Sequence, residues 1–319
     1  MFKRITLIYK MKKIKVAIFG GSGFIGSYVS NLLYSKGYLV TVFTQNKKNK
    51  KRNLYKSINV IKINYNFKEL KKIDFNKFDK IHFLSGNPTP ANSKISPDFD
   101  LKTTNKYSLI LLEILKIQNF QGSIWLSSSV AVYGNKRGLL KENDLCDPIS
   151  IYGISKLYLE KTALFYHKKF SLNIGIYRIF STYGPGLKRQ IIFDVIKKIV
   201  KNKSSIEIIG SGQERRDITY VEDIAKGIFI LNKRIPKGEI FNIGSGKSYS
   251  VKEIVNSIMK MTNKKLKVYY TNKLRDYDGY NWKASISKIK KFGYKPEVKL
   301  ESGLRKTINW YLKNFRNIK

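Results

Sequence analysis

Two short segments of the chain combine hydroxyl and amine side chains at a spacing that could move a proton. Ser127, Ser128 and Ser129 are consecutive, and Tyr152 and Lys156 are four residues apart. On a helix, that spacing places both side chains on one face. A lysine beside a tyrosine stabilises the phenolate, and a nearby serine hydroxyl can bond a substrate oxygen. The pattern predicts acid–base catalysis by Ser129, Tyr152 and Lys156, with Ser128 as the second choice for the serine.

A glycine-rich segment near the N-terminus has the spacing of a phosphate-binding loop. Gly20, Gly23 and Gly26 follow an apolar run at 14–19 and lead into a helical pattern that starts at Phe24. In dinucleotide sites, such glycines permit a tight turn, admit the pyrophosphate close to the backbone and let helix and strand pack closely. The pyrophosphate then lies at the first N–H groups of the helix. We predict a nicotinamide dinucleotide site, which would supply hydride transfer beside the proton transfer.

The end of the second predicted strand bears on which dinucleotide binds. NAD-specific sites usually place an acidic residue there to bind the ribose hydroxyls, but residues 43–47 contain none. Thr44 or Gln45 could bond the ribose, and Lys47 could favour a 2′-phosphate. The sequence favours NAD and leaves NADP open. The predicted cofactor contacts are Gly20, Gly23, Phe24, Ile25, Gly26, Thr44, Tyr152 and Lys156.

These segments must be held by a regular framework, and the first half of the chain predicts one. Apolar runs predict strands at 14–19, 39–43, 60–63, 80–84, 123–127 and 173–179, and helical patterns lie at 24–36, 109–117 and 155–168. Alternation of this kind implies an α/β fold with a parallel, doubly wound sheet. The glycine loop would follow the first strand, the serines would end the fifth strand, and Tyr152 would open the next helix.

The pattern becomes less regular after Phe180, and residues 181–189 are rich in Gly and Pro, as at a domain boundary. Helices are predicted near 191–201, 221–231 and 251–261, and strands at 206–209 and 240–243. We predict a dinucleotide-binding domain over 11–180 and a smaller α/β substrate-binding lobe over 181–319. Residues 217–245 could pack back onto the first domain, and residues 1–10 are predicted to be an extension.

The composition excludes several classes of protein. The chain has 319 residues, of which 42% are hydrophobic, one cysteine (Cys146) and two histidines (His82 and His167). A single cysteine excludes a disulfide framework, and nothing resembles a Cys/His metal cluster, so no metal is predicted. No apolar run reaches the ~20 residues that cross a bilayer, and residues 1–10 are too short and too charged for a signal peptide. A cytoplasmic protein is expected.

The net charge of +40 raises the question of a polyanionic partner, because 62 Lys and Arg face only 22 Asp and Glu. The lysines are spread along the whole chain rather than gathered in one segment. We interpret them as a solvated surface that could help to capture a diphosphate substrate. Neither a specific nucleic-acid partner nor a membrane is expected, and polyanion binding is the alternative.

Taken together, the glycine loop, the segment 127–134 and the Tyr152–Lys156 motif resemble NAD-dependent epimerase/dehydratase proteins of the extended short-chain dehydrogenase/reductase type. Within that family they are most similar to UDP-glucose 4-epimerase-like enzymes. The resemblance covers about residues 11–315 and includes segments 178–186, 216–223 and 241–246. It implies a Rossmann domain, a nucleotide-diphosphate sugar as substrate, with a UDP-sugar favoured, and a homodimer formed through helices that match 109–117 and 155–168.

The resemblance also implies residues on the substrate side. Arg216 and Arg275 match arginines that grip the nucleotide diphosphate and ribose, and forked contacts to phosphate suit arginine. Ser181 takes the place of an asparagine that bonds the substrate in many epimerases, and residues 104–108 depart from an Asn-x-x-Gly-Thr segment. The identity of the sugar is therefore left open. The predicted substrate contacts are Ser129, Ser181, Arg216, Arg275 and Asp278.

The residues after the serines bear on the reaction. Related 4,6-dehydratases carry an Asp-Glu pair there, whereas this chain has Val130 and Ala131, which cannot transfer protons. The resemblance instead implies epimerisation, in which Tyr152 and bound NAD oxidise the sugar, the 4-keto intermediate turns over, and hydride returns to its other face. An NADPH-dependent 4-keto-sugar reductase is the alternative. A non-catalytic NAD(P)-binding protein would not need Ser129, Tyr152 and Lys156.

Overall fold

A computed structural model describes residues 13–45, 54–273 and 281–315. Four parts of the sequence predictions lie outside the described residues: Lys47, Arg275, Asp278 and the extension at 1–10. No helix within the described ranges combines the length and the apolar character needed to span a membrane.

The strands of the described residues are β1 (Lys15–Phe19), β2 (Leu39–Thr44), β3 (Asn59–Lys62), β4 (Lys80–Phe83), β5 (Ser123–Ser129), β6 (Gly138–Leu140), β7 (Asn173–Ile179), β8 (Ser181–Tyr183), β9 (Ser205–Ile208), β10 (Arg215–Tyr220), β11 (Glu239–Ile243), β12 (Ser248–Ser250), β13 (Lys267–Tyr270) and β14 (Asn281–Ala284).

The helices are α1 (Phe24–Ser35), α2 (Phe67–Leu70), α3 (Pro90–Ile95), α4 (Pro97–Asp100), α5 (Tyr107–Ile117), α6 (Ile151–Phe170), α7 (Gln190–Lys201), α8 (Val221–Asn232), α9 (Val251–Thr262), α10 (Ser287–Lys290) and α11 (Leu300–Phe315). Short 3₁₀ turns lie at Phe75–Lys77 and Val130–Tyr133. A π-helical turn, Leu101–Lys106, joins α4 to α5.

Seven parallel strands form the large central sheet, in the order β11-β7-β5-β4-β1-β2-β3. The chain builds outward from β1 to β3 and then returns to place β4 on the other side of β1. Strand order therefore reverses between β1 and β4. In open α/β sheets, ligands bind in the crevice at the carboxyl ends of the strands at such a reversal.

The sheet is covered on both faces because its inner strands are apolar on both sides. In β1, Val16 and Ile18 pack against α1 and α8, whereas Ala17 and Phe19 face the opposite cluster, which includes residues of α5 and α6. Successive side chains of a strand point to opposite faces, so one apolar run supplies both cores. The prediction of a doubly wound parallel α/β fold is confirmed.

Two smaller sheets lie in the remaining part of the chain. One has the order β12-β10-β14-β6 with β8 beside β10, and the other pairs β13 with β9. Helices α7, α9 and α11 share an apolar cluster with these strands. Strand β6 precedes residue 180 in sequence but joins a smaller sheet, and β11 follows residue 180 but joins the large sheet. The division of the chain into domains at 180 stays a prediction.

Several element boundaries differ from the predictions for local reasons. Helix α6 begins at Ile151 rather than 155, because the Ser150 hydroxyl accepts a hydrogen bond from Gly153 N at 3.1 Å and caps the helix there. Strand β5 extends to Ser129. The Gly- and Pro-rich segment after Phe180 contains strand β8, which was not predicted. Strand β10 was missed because its charged first residues hide the apolar pattern.

Candidate active site

A cavity of about 1030 Å³ opens where the carboxyl ends of β1, β4 and β5 meet. It continues past β8 to α7 and β10, so both the large sheet and the smaller one contribute to its wall. Its volume is in the range that suits cofactors and substrates. The predicted site residues that line it are Gly20, Gly23, Phe24, Ile25, Gly26, Ser128, Ser129, Tyr152, Lys156, Ser181 and Arg216.

The glycine loop between β1 and α1 is too tight for side chains. Gly20 has φ +75°, and a Cβ there would lie 2.9 Å from Ser85 N. A Cβ on Gly26 would lie 2.2 Å from the carbonyl oxygen of Gly20. Gly23 N donates to that same oxygen at 2.9 Å and closes the turn. The loop therefore presents bare backbone to the cavity.

The N-terminus of α1 has the features of an anion site. Its N-cap is Gly23, no side chain caps the helix, and its first turn contains no acidic residue. The first N–H groups of a helix have no partners within it and carry a partial positive charge. Gly23, Phe24, Ile25 and Gly26 all line the cavity. The loop and helix end fit the pyrophosphate of a dinucleotide.

The end of β2 is tied to the glycine loop. Thr44 is only 3% exposed, and its hydroxyl shares a hydrogen bond of 2.8 Å with the Ser22 hydroxyl. Ser22 lines the cavity, whereas Thr44 is not among the described residues of its wall. A hydroxyl pair thus occupies the place where an acidic residue is common, and the role of Thr44 as a cofactor contact stays a prediction.

Tyr152 lies in the first turn of α6, close to the end of β5. Its phenol and the Ser129 hydroxyl both line the cavity. Burial raises the pKa of Tyr152 to about 12, and the Ser129 hydroxyl opposes that rise. The Asp100 carboxylate raises the pKa further, while the Arg189 guanidinium lowers it. Ser129, rather than Ser128, is the serine whose hydroxyl acts on the pKa of the phenol.

Lys156 extends from the next turn of α6 into the same space. Its Nζ donates to the carbonyl oxygen of Ser127 at 3.1 Å and lies 5.8 Å from the centroid of the Tyr152 ring. Burial lowers the pKa of Lys156 to about 8, and the carboxylates of Asp100 and Glu160 oppose that lowering. The predicted acid–base set is therefore brought together in one place.

The residues after Ser129 form an apolar part of the wall. Val130 and Ala131 begin the 3₁₀ turn Val130–Tyr133, and both are buried and line the cavity. Ser129 Oγ caps this turn by accepting a hydrogen bond from Ala131 N at 3.2 Å. Neither Val130 nor Ala131 can exchange a proton with a ligand beside Tyr152.

On the far side of the cavity, the smaller sheet provides the predicted substrate residues. Ser181 starts β8, and Arg216 lies in β10 with its guanidinium carbon 5.6 Å from the centroid of the Trp282 ring. Strands β8 and β10 are paired, so both residues are held on one surface. Across the described ranges, no three His, Cys, Asp or Glu side chains are grouped as metal ligands would be.

Some of the shared motif residues maintain the framework instead of lining the cavity. Arg178 donates to Glu160 Oε1 at 2.9 Å and to Glu160 Oε2 at 2.7 Å, which ties β7 to α6. The Asp217 carboxylate accepts hydrogen bonds from Ser245 N, Gly246 N and Ala284 N at 2.8, 2.8 and 3.1 Å. These pairs explain why the motifs contain charged residues at buried positions.

Sequence reasoning missed several parts of the cavity wall, of which two lie near the catalytic set. One is the segment from Gly86 to Asn92, which follows β4. Its position after a parallel strand at the reversal of strand order is the signal that could have found it. The other is Arg189, whose buried Nε has no hydrogen-bond partner among the residues that the structure describes. No sequence pattern marked it.

Comparison with known proteins gives consistent results. The model of the NAD-dependent epimerase/dehydratase family matches residues 16–244. The UDP-glucose epimerase YtcB of Bacillus subtilis, itself uncharacterised, is 32% identical over 309 residues, which are 92% of this chain and 97% of that protein. The UDP-glucuronate 4-epimerase of Thermodesulfobacterium geofontis is 35% identical over 216 residues, which are 66% of each chain.

A solved structure agrees with the sequence matches. The UDP-glucuronic acid 4-epimerase from Bacillus cereus, in complex with UDP-glucuronic acid and NAD, superposes with a TM-score of 0.83 at 25% identity. The superposition covers 94% of this chain and 99% of that one. The family model, the relatives and the fold point the same way: this chain belongs to the NAD-dependent epimerase/dehydratase family.

Proposed function

We propose that the protein is a UDP-sugar 4-epimerase that works with bound NAD. The observation that carries the proposal is the meeting of Ser129, Tyr152 and Lys156 with the glycine loop in one cavity. A phenol, a hydroxyl and an ammonium beside a dinucleotide cradle suit the reversible oxidation of an alcohol. The names of the relatives support the substrate class, and they favour an epimerase over an NADPH-dependent 4-keto-sugar reductase.

The residues of the wall suggest how NAD would be held. The N-terminus of α1 would bind the pyrophosphate, and the Ser22–Thr44 hydroxyl pair at the end of β2 would serve the adenosine ribose. The Lys156 ammonium would bond the nicotinamide ribose. When bound, NAD supplies a hydride acceptor that later returns the hydride to the sugar.

The acid–base step then belongs to Tyr152. The phenolate of Tyr152 would accept the proton of the 4-hydroxyl group as C4 of the sugar is oxidised. Because burial raises the pKa of Tyr152 to about 12, that phenolate must be stabilised, and the Ser129 hydroxyl and the Lys156 cation are placed to do so. After the 4-keto sugar turns over, Tyr152 returns the proton to the oxygen as hydride reaches the other face.

The nucleotide end of the substrate would lie toward the smaller sheet. Arg216 on β10 is suited to a phosphate of the diphosphate, and Ser181 on the neighbouring strand β8 lines the same cavity. The resemblance assigns Arg275 and Asp278 to the same end of the substrate, and these assignments rest on the sequence motif.

A cofactor and substrate assay tests the proposal. Denaturing the purified protein is expected to release stoichiometric NAD, because a cofactor that is regenerated within each cycle need not leave. UDP-glucose should be converted into its 4-epimer without added cofactor, as read by separation of isomers of equal mass across a panel of UDP-sugars. A cofactor-free preparation that consumes NADPH with a keto-sugar would contradict this proposal and favour the reductase.

A UDP-hexuronate such as UDP-glucuronate is the second candidate substrate. The Arg189 guanidinium lines the cavity, and its charge acts on the Tyr152 phenol, so it lies near the reacting end of the sugar. An arginine with a buried, unpaired Nε is suited to a carboxylate. In the same panel, faster turnover of UDP-glucuronate than of UDP-glucose would support the hexuronate, and the reverse order would reject it.

We also propose that the protein is a cytoplasmic homodimer formed through α5 and α6. These helices pack against each other and expose apolar side chains, which are Leu109, Ile117, Ile154, Tyr158 and Phe165. Several large apolar side chains exposed on two adjacent helices suit a surface that a partner covers. Light scattering after size exclusion should give twice the chain mass, and Phe165→Lys should shift the protein toward the monomer. A monomeric unmodified protein would contradict the proposal.

A further inference from the structure

A buried carboxylate lies behind the catalytic set and has no part in the mechanism above. Asp100, the last residue of α4, is fully buried. Its Oδ2 accepts a hydrogen bond from the Ser93 hydroxyl, but its Oδ1 has no hydrogen-bond partner in the described part of the chain. A buried charge is costly unless it is paired and hydrogen-bonded. Stability alone therefore does not account for a carboxylate at this position.

Hydrogen bonds connect Asp100 to the wall of the cavity. Ser93, which donates to Asp100, itself accepts from Asn87 Nδ2 at 2.8 Å. Asn87 lines the cavity together with Gly86 in the segment that follows β4. Thr89 N donates to Asn87 Oδ1 at 3.3 Å and fixes the orientation of the amide. The Asp100 side chain is thus held in place from the side of the cavity.

The π-helical turn that follows Asp100 packs against α6 beside Lys156. Ser155 Oγ donates to Asn105 Oδ1 at 3.1 Å. A Cβ added to Gly86 would lie 2.9 Å from Thr104 Oγ1 and 3.3 Å from Lys156 Nζ. The Thr104 hydroxyl and the Lys156 ammonium therefore lie close to each other beside Gly86. Thr104 is one helical turn after Asp100. The Lys156 ammonium therefore lies close to the π-helical turn that directly follows the buried carboxylate, and π-turns are frequent at functional sites.

The charged and titratable groups that act on Lys156 are few. Glu160, one turn along α6, is paired with Arg178 through two hydrogen bonds, which neutralise its charge. Tyr152 faces the ammonium with its ring and is neutral when protonated. Arg189 acts on the Tyr152 phenol from across the cavity. Asp98 of α4 is exposed, and Glu113 of α5 is paired with Lys116 and bonded to Tyr166. Asp100 is the buried carboxylate on the elements packed against α6 that opposes the fall in the pKa of Lys156 that burial causes.

We propose that Asp100 is a positioning residue whose buried carboxylate keeps the Lys156 side chain protonated. A charged Lys156 can stabilise the Tyr152 phenolate and hold a ribose, whereas a neutral amine does neither well. The consequence for catalysis rests on the proposed function. The effect on Lys156 does not, because it concerns two side chains of the free protein.

The test compares Asp100→Asn with Asp98→Asn, which removes the same charge from an exposed position of the same helix. Competitive labelling with acetic anhydride across a range of pH, read by mass spectrometry of the peptide that contains Lys156, follows the protonation of this amine. In Asp100→Asn the midpoint should fall by about one pH unit, as expected for the loss of a nearby opposite charge. Asp98→Asn should match the unmodified protein.

The lower pKa of Lys156 also predicts a change in the pH dependence of kcat. Because the protonated Lys156 is the active form, the alkaline decline of kcat should begin at lower pH in Asp100→Asn, while Asp98→Asn keeps the original profile. If the labelling midpoint of Lys156 is unchanged, the proposal is wrong, even if kcat is lower. If Asp100→Asn does not fold, Asp100→Leu gives the same test, because it removes the charge and does not place an amide in the buried position. An inactive unmodified protein would contradict the proposed function, and the labelling would still decide the role of Asp100.

Discussion

Replacing Tyr152 by phenylalanine is expected to lower kcat by about 10³-fold, the size of effect that general acid–base catalysis contributes. The variant loses the phenol oxygen on which the Ser129 hydroxyl acts and which, in the proposed mechanism, accepts the proton of the sugar hydroxyl. It keeps the ring, over which the Lys156 ammonium lies at 5.8 Å. The glycine loop and Arg216 are untouched, so NAD content and the affinity for the UDP-sugar should change little.

The measurement is the rate of UDP-sugar epimerisation, with NAD released by denaturation and UDP-sugar binding by calorimetry as companion readouts. Tyr158→Phe is the matched control, because Tyr158 lies on the same helix but is not among the described residues of the cavity wall. It should retain the full rate. A Tyr152→Phe variant with more than a tenth of the original kcat would show that another group moves the proton.

Sequence patterns predicted the parts of the site that depend on local spacing. Gly20, Gly23 and Gly26 must be small because the turn between β1 and α1 is short, and that constraint is visible along the chain. Tyr152 and Lys156 lie on one helical face for the same reason. Ser129 belongs to a run of three serines at the end of a strand that the apolar pattern predicts. In each case, a few residues that are close together in the sequence are enough to predict the feature.

Features that depend on distant parts of the chain could not be predicted in this way. Arg189 and Asp100 reach the catalytic set only through the tertiary packing of α7 and α4, and neither interrupts a recognisable motif. The smaller sheet is another example, since β6 pairs with β14 across more than a hundred residues of sequence. Strand β10 begins with two arginines, so its polarity favoured an exposed loop over a paired strand.

The loop leaves no room for a side chain at Gly26. A Gly26→Ala variant is expected to lose bound NAD and to unfold at a lower temperature than the unmodified protein. The new Cβ would lie 2.2 Å from the Gly20 carbonyl oxygen and 2.8 Å from Gly21 Cα, and both of these are backbone atoms. The clash cannot be relieved by a side-chain rotation. Either α1 moves away from β1 or the loop opens, and both changes displace the N–H groups that face the pyrophosphate.

Gly23→Ala provides a graded comparison within the same loop. Its Cβ would lie 3.1 Å from the same Gly20 oxygen, so a shift of a few tenths of an ångström accommodates it. We expect cofactor-free Gly26→Ala to be destabilised by about 1–3 kcal/mol, as for overpacked interiors, and cofactor-free Gly23→Ala to be affected much less. Thermal unfolding of the NAD-free proteins and titration with NAD measure both effects. If the two variants have equal stability and equal NAD affinity, the loop accommodates a Cβ at Gly26 without cost. The close packing of its backbone would then not determine the shape of the cofactor site.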